Sequence, residues 1–368
     1  MKRIGNLFDK IIDIDNLRLA DEKARKGKKK SYGVRTHDKN REANLLRLHE
    51  ELKNETYSTS KYDTFVIHEP KERVISRLPY YPDRIVHHAI MNVLEPIWYK
   101  VYTHNQYACV KGRGIHACAR EVRRIVNSFK GQPLYCLKLD IRKFYPSIDH
   151  DTMKSIVRKK IKCERTLRLL DNIIDSTDGL PIGNYTSQSL ANLYLAYLMH
   201  YINEELHKEL GISKRIKATL YADDMVLFAS DKSILHKAFS ILQQRLSELK
   251  LEFKGNWQIF PIKDNPRSRY GRALDYVGYL FYRLCTLLRK STKKNLCKTI
   301  AQLSNGAKPV KAVTMALAPW LGWLKYCNGK NLKTKLFKKL NYYESTIRQT
   351  TTSVRGLQQR LLCLQLRH

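Results

Sequence analysis

Ala218-Thr-Leu-Tyr-Ala-Asp-Asp-Met-Val-Leu-Phe-Ala229 is the stretch from which the fold can be read. Apolar runs of strand length flank Ala222-Asp223, and aspartate tolerates and caps turn backbone, so the stretch predicts a β-hairpin with two adjacent carboxylates at its tip. An acidic pair in a turn is ordinarily solvated turn chemistry. A third carboxylate weakens that reading, because Leu134-Tyr-Cys-Leu-Lys-Leu-Asp140 alternates as a strand does and ends in an aspartate. Two Mg²⁺ ions roughly 3.5–4 Å apart can clamp the attacking and leaving oxygens of an in-line phosphoryl displacement, and they need hard oxygen ligands on rigid neighbouring strands. Asp140 and Asp223 are the expected ligands. Asp224, one step further along a strand-like backbone, points the other way and is expected to support them.

The charge balance points the same way. Lys and Arg number 68 against 34 acids, a formal charge of +34 that implies a polyanionic partner. Residues 282–368 hold eighteen Lys or Arg and one acid, Glu344, which suits a phosphate-backbone surface. The run Lys23-Ala-Arg-Lys-Gly-Lys-Lys-Lys30 reads equally as a flexible arm or as an RNA-gripping segment. No window of eighteen apolar residues occurs, and Met1–Asp9 lacks a signal-peptide core, so no membrane association and a cytoplasmic location are expected. The eight cysteines form no CxxC pair and no zinc spacing; they are read as reduced thiols.

Along the chain, residues 1–60 read as a basic, helical extension, with a helix over 40–52. Residues 62–78 read as a hairpin bearing Lys71, Arg73 and Arg77, broken at Glu69-Pro70. A helix follows from Pro82 and is expected to stop at Pro96. Another runs from Ile115 to Phe129, then come the Asp140 strand, helical sequence to Ile174, and a long helix from Ser189 to Leu210. After the acidic hairpin come a helix over 232–249, short strands over 251–253, 258–260 and 275–282, and helical basic sequence beyond 284. The sum is an α+β layer, an antiparallel sheet with packed helices, which holds catalytic carboxylates on strands rather than loops.

Seven blocks in order over residues 60–285 resemble the reverse transcriptases: Arg73 to Val86, Lys111-Gly-Arg-Gly114, Leu139 to Ile148, Gly179 to Gln188, Tyr221-Ala-Asp-Asp224, Leu251 to Pro261, and Tyr276-Val-Gly-Tyr-Leu-Phe281. The resemblance implies a right-hand polymerase fold: fingers with part of the palm over 61–139, palm over 140–283 with a fingers element near 150–180, and a basic helical thumb over 284–368. It adds Ile141 to the metal site, gives Lys254 a role in catalysis, and assigns Arg113, Ser187, Gln188, Tyr221, Gly278, Lys293 and Lys294 to template or primer. Most members carry Gln and Pro where this chain has Ile182 and Gln188. That departure resembles the reverse transcriptases of diversity-generating retroelements. It implies copying of a template-repeat RNA into cDNA with errors at adenines, Mg²⁺ or Mn²⁺ as cofactor, dNTPs as substrates and a small basic accessory variability protein as partner.

Within the pocket, Lys71 and Arg73 can donate to the β- and γ-phosphates. Tyr145 is expected under the sugar, where a ring excludes a ribose 2′-OH, with Phe144 able to exchange roles. Ile182 offers apolar contact where glutamine would hydrogen-bond, and Gly183 permits close backbone approach. Ser187 and Gln188 are read as caps of the following helix that could also touch the template. Lys254 is either a proton donor to pyrophosphate or a solvated loop lysine, and Trp320, Trp323 and Tyr326 read as thumb core ahead of base-stacking. The alternatives are a retron or intron-encoded reverse transcriptase, and an inert RNA-binding scaffold. Val313-Thr-Met only partly echoes the retron thumb signature, the chain leaves no room after the thumb for an intron enzyme's extension, and a scaffold has no need of clustered carboxylates.

Overall fold

Helices α1 (Phe8–Ile12), α2 (Ile14–Ala24), α3 (Tyr32–Asp38) and α4 (Arg41–Lys53) open the chain in the computed structural model, which describes residues 3–68, 72–213, 216–304 and 310–338. Strands β1 (Asp63–Ile67) and β2 (Arg73–Arg77) pair antiparallel, and helices α5 (Ile85–Tyr99) and α6 (Ile115–Ser128) follow. Strand β3 (Tyr135–Asp140) leads into α7 (His150–Arg158), α8 (Glu164–Ile174), α9 (Tyr185–Glu204) and α10 (Leu206–Glu209). Then come β4 (Lys217–Tyr221), β5 (Asp224–Ala229), α11 (Lys232–Glu248) and β6 (Gln258–Pro261). Strands β7 (Leu274–Tyr276), β8 (Tyr279–Phe281) and β9 (Thr286–Leu288) and helices α12 (Lys290–Ser304), α13 (Val310–Lys325) and α14 (Lys330–Phe337) complete the described residues. Lys71 lies outside them.

The chain divides into two compact units, Met1–Gly114 with Leu137–Ile259, and Ile115–Cys136 with Phe260–His368. The first carries a four-stranded sheet in the order β4-β5-β3-β6, and α9 and α11 pack against β4 and β5. Its core is the buried apolar run Met225–Phe228 with Leu193, Leu235 and Leu242. This is the expected α+β polymerase architecture.

A buried anion organises the N-terminal helices. Asp21 is fully buried and accepts from Arg25 at 2.7 Å, from Arg41 at 2.5 Å and from the Tyr80 hydroxyl. Burial works to raise its pKa, but the hydrogen bonds from Tyr80, Arg25 and Arg41 prevail and hold it below the usual carboxylate range. The network ties α2 to the turn that precedes α5, and α2 and α5 pack closely together.

The second unit holds the sheet β7-β8-β9. Trp323 on α13 lies 5.0 Å from the Tyr279 ring and 5.3 Å from His116, and His116 stacks on Tyr326 at 4.9 Å. Trp323 and Tyr326 therefore serve as packing.

Several sequence boundaries move. Helix α5 continues past Pro96 to Tyr99, since proline costs one hydrogen bond near the end of the helix and fully buried Trp98 anchors the last turn. Helix α9 begins at Tyr185, with Asn184 as its extended N-cap residue. Ser187 and Gln188 are thus first-turn residues and not caps, and no side chain caps this end. Residues 275–282 are a hairpin rather than one strand, 251–253 contribute an isolated bridge at Phe253, and β9 precedes the basic helices.

Candidate active site

The β4–β5 register pairs Tyr221 with Asp224, leaving Ala222 and Asp223 as the two turn residues. Ala222 has φ 57°, a left-handed conformation costing an alanine about 1–2 kcal/mol. The buried residues on both sides, Leu220 at 1% exposure and Met225 at 0%, hold the turn in place. Strand β5 neighbours β3, whose last residue is Asp140.

Beyond Asp140 the chain pairs with residues 252–254. The Arg142 amide donates to the Glu252 carbonyl at 2.9 Å, the Lys254 amide donates to the Asp140 carbonyl at 2.8 Å, and Ile141 bridges Phe253 antiparallel. This ladder delivers the Lys254 ammonium to Asp140 Oδ2 at 2.6 Å. Lys254 is therefore an ion-pair partner of Asp140 and not a solvated loop lysine.

The other Asp140 oxygen, Oδ1, is buried and has no hydrogen-bond partner among the described residues. The pKa of Asp223 is raised, first by burial, then by the like charges of Asp140 and Asp224; its own amide and Lys254 act against the rise. Asp223 thus feels the charges of both other carboxylates. Among the described residues no set of three acidic, His or Cys side chains already stands in ligand geometry. An orphaned anionic oxygen beside a second acid that resists ionisation nevertheless suits a divalent cation, which would satisfy the oxygen and relieve the repulsion.

Tyr145 opens the single 3₁₀ turn Tyr145–Ser147 just after this ladder. Its hydroxyl pKa is pushed up to about 12, by burial first and then by the charges of Cys109 and Asp223, while Arg73 lowers it. Tyr145, Arg73 and Asp223 therefore share one electrostatic environment. Phe144 packs edge-on against Tyr145 at 5.5 Å and is itself buried, which leaves Tyr145 the more accessible ring of the pair.

The segment before α9 is pinned from two sides. The Leu180 amide donates to the Tyr145 carbonyl at 2.8 Å, and the Ser76 amide on β2 donates to the Ile182 carbonyl at 2.9 Å. Gly183 has φ 131°, and a Cβ there would sit 2.4 Å from the Ser76 carbonyl oxygen. The close approach this glycine allows is to β2. Ile182 is half-buried, Ser187 buried and Gln188 exposed. Sequence reading missed Ser76, whose partner lies far along the chain.

Arg113 Nη1 donates to the Gln106 carbonyl at 2.8 Å and to that of Thr103, so it braces the loop whose Asn105 and Tyr107 pair with Leu220 of β4. Tyr221 is half-buried at the end of β4. In the second unit, Gly278 and Val277 form the β7–β8 turn at φ 82° and 43°, and a Cβ on Gly278 would meet the Trp323 ring at 2.6 Å. Lys293 and Lys294 lie exposed on α12.

A sheet with carboxylates at a hairpin tip and an adjoining strand end, covered by helices, is the palm of a nucleic-acid polymerase. The chain belongs to the reverse transcriptase (RNA-dependent DNA polymerase) family, whose model matches residues 63–256. Members of that family use divalent metal ions. Among curated proteins the chain is 29% identical over 138 residues to an uncharacterized 91 kDa protein in a cob intron of Schizosaccharomyces pombe, aligning 34% of this chain and 16% of that protein. It is 24% identical over 139 residues to protein YkfC of Escherichia coli, with 34% and 36% covered. It is 21% identical over 213 residues to the group II intron-encoded protein LtrA of Lactococcus lactis, with 55% and 34% covered. The chain therefore spans well under half of each relative. In fold it resembles apo telomerase from Candida tropicalis, with a TM-score of 0.50 and 11% identity over 70% of this chain and 51% of that one. Among the described residues no helix is long and apolar enough to cross a membrane.

Proposed function

We propose that this chain is an RNA-directed DNA polymerase of the diversity-generating type, copying a template-repeat RNA into cDNA with low fidelity at adenines. The observation that supports the polymerase reading is the buried, unpartnered Asp140 oxygen at the end of the strand next to the Asp223–Asp224 hairpin, together with the charges of Asp140 and Asp224 that raise the pKa of Asp223. These residues, with Ile141 beside them, would hold Mg²⁺ or Mn²⁺, and the bound ions would neutralise the phosphates and activate the primer 3′-oxygen.

The remaining roles fall to other side chains of the chain. Lys254, ion-paired with Asp140, gives a proton to the pyrophosphate leaving group in this reading. Arg73, with Lys71, takes the β- and γ-phosphates, and Tyr145 lies beneath the sugar, rejecting ribonucleotides. Ile182, held through its carbonyl by β2, offers the nascent pair a surface with no hydrogen-bonding group. Losing a directed hydrogen bond of about 0.5–1.5 kcal/mol lowers discrimination by up to roughly tenfold. In the first unit Gln188 and Tyr221 contact template or primer, with Arg113 and Ser187 shaping that surface from within, and in the second unit Lys293 and Lys294 contact the backbone, with Gly278 shaping the turn. Residues 61–139 act as fingers, 140–283 as palm and 284–368 as thumb, and a small basic accessory protein completes the assembly.

The group II intron-encoded protein LtrA and the nuclear intron maturase 1 of Arabidopsis thaliana favour a second reading, an intron-type reverse transcriptase. Primer extension on an RNA template with Mg²⁺, followed by product sequencing, separates the two. Errors concentrated opposite template adenines support the diversity-generating reading, and an even, low error rate supports the intron reading. No DNA product at all would leave the inert scaffold.

A further inference from the structure

The basic run Lys23–Lys30 has no role in the catalytic hairpin, yet Lys28 lines a cavity of about 170 Å³ together with Arg84, His88, Tyr185 and Gln188. A larger groove, about 800 Å³, also begins at Lys28 and Arg84 and carries the exposed Tyr32. Among the described residues neither Lys28 nor Arg84 has a carboxylate partner. Partial desolvation lowers the pKa of both, although most of the Lys28 side chain is exposed; Arg84 lowers Lys28 further and Arg77 lowers Arg84, so like charges face one another across the cavity they line. An anion relieves that repulsion.

The walls suit a nucleotide. Tyr185 is 43% exposed although His88 covers one of its faces, with the two rings 3.9 Å apart and 17° from parallel. His87, 2% exposed, bonds Thr186 through Nδ1 at 3.1 Å, and its Nε2 has no partner among the described residues. Burial first, then the neighbouring positive charges, push His87 down to about 3 and His88 down to about 4, so both are neutral at physiological pH. A cationic groove with an open aromatic face is how proteins hold single-stranded nucleic acid without reading its sequence. The cavity also borders Gly183, one residue past Ile182.

We propose that Lys28, Arg84 and Tyr185 form a subsite for one nucleotide of the single-stranded template, its phosphate between the two cations and its base on the open face of Tyr185. The strand continues along the groove past Tyr32. This rests on the reading of the chain as an RNA-templated polymerase, and it gives the Lys23–Lys30 run a place on the template path.

The test is fluorescence anisotropy of the full chain with a short unstructured oligoribonucleotide in EDTA, where no synthesis occurs. Tyr185→Ala is expected to weaken binding about five- to a hundredfold, and Tyr185→Phe to retain it. Lys28→Gln and Arg84→Gln should each reduce the slope of log K against log salt by about one. Lys28 is exposed, so its replacement does not threaten folding. Unchanged affinity and slope in Lys28→Gln and Tyr185→Ala would overturn the subsite. Displacement of the labelled RNA by excess dNTP would overturn it in favour of a triphosphate site. Because the readout needs no catalysis, weakened RNA binding in these variants together with a wild-type chain that extends no primer refutes the polymerase reading and leaves a single-stranded RNA subsite standing.

Discussion

Gly183→Ala puts the coupling between β2 and the Ile182 segment under direct strain. A Cβ would lie 2.4 Å from the Ser76 carbonyl oxygen, a backbone atom that cannot rotate away, and the φ of 131° is foreign to alanine. The left-handed backbone alone costs about 1–2 kcal/mol, and losing the 2.9 Å Ser76–Ile182 hydrogen bond adds about 0.5–1.5 kcal/mol. If the segment shifts far enough to lose that bond but otherwise stays in place, the total of about 1.5–3.5 kcal/mol lowers Tm by roughly 3–14 °C at about 2–4 °C per kcal/mol. If it undocks instead, Tm moves less, but Ile182 loses its place and KM for dNTP rises several-fold. Thermal melting and steady-state primer extension on the same preparation read both outcomes. A variant with wild-type Tm and wild-type KM would refute the account of how this segment is held.

Asp223→Asn should abolish activity, by about a thousandfold or more, while making the ion-free protein more stable at neutral pH. The folded chain binds the Asp223 proton more tightly than the unfolded chain, so stability falls as pH rises from the ordinary carboxylate range through the raised pKa. Melting curves of wild type and variant in EDTA should therefore converge in acid and separate toward neutrality, and a less stable variant at neutral pH would contradict the repulsion. Ile182→Gln should reduce misincorporation opposite template adenine by up to roughly tenfold, read by sequencing the cDNA. RNA affinity of the intact chain, with its +34 charge, should fall by about a thousandfold or more between 50 and 200 mM salt.

The acidic hairpin was legible because its signals are local: two apolar runs, a turn and an acidic pair. The Asp140 strand was equally plain from its alternation. The Lys254–Asp140 ion pair was not, since it depends on a strand pairing between distant segments. The start of α9 was hidden because Asn184-Tyr-Thr-Ser-Gln188 reads as polar loop, whereas tertiary packing buries Thr186 and Ser187 in a helix that is covered on most sides. Gly183 could be recognised as a site of close approach, but nothing local identifies Ser76 as the neighbour. Lys28, Arg84 and Tyr185 lie far apart along the chain, so only the folded arrangement brings them around one cavity.

Mn²⁺ binding followed by electron paramagnetic resonance, with primer–template and a non-reactive dNTP analogue present, tests the carboxylate group most directly. The account predicts two bound ions in the wild-type chain and loss of at least one in both Asp140→Asn and Asp223→Asn. Unchanged stoichiometry and affinity in both variants would contradict it.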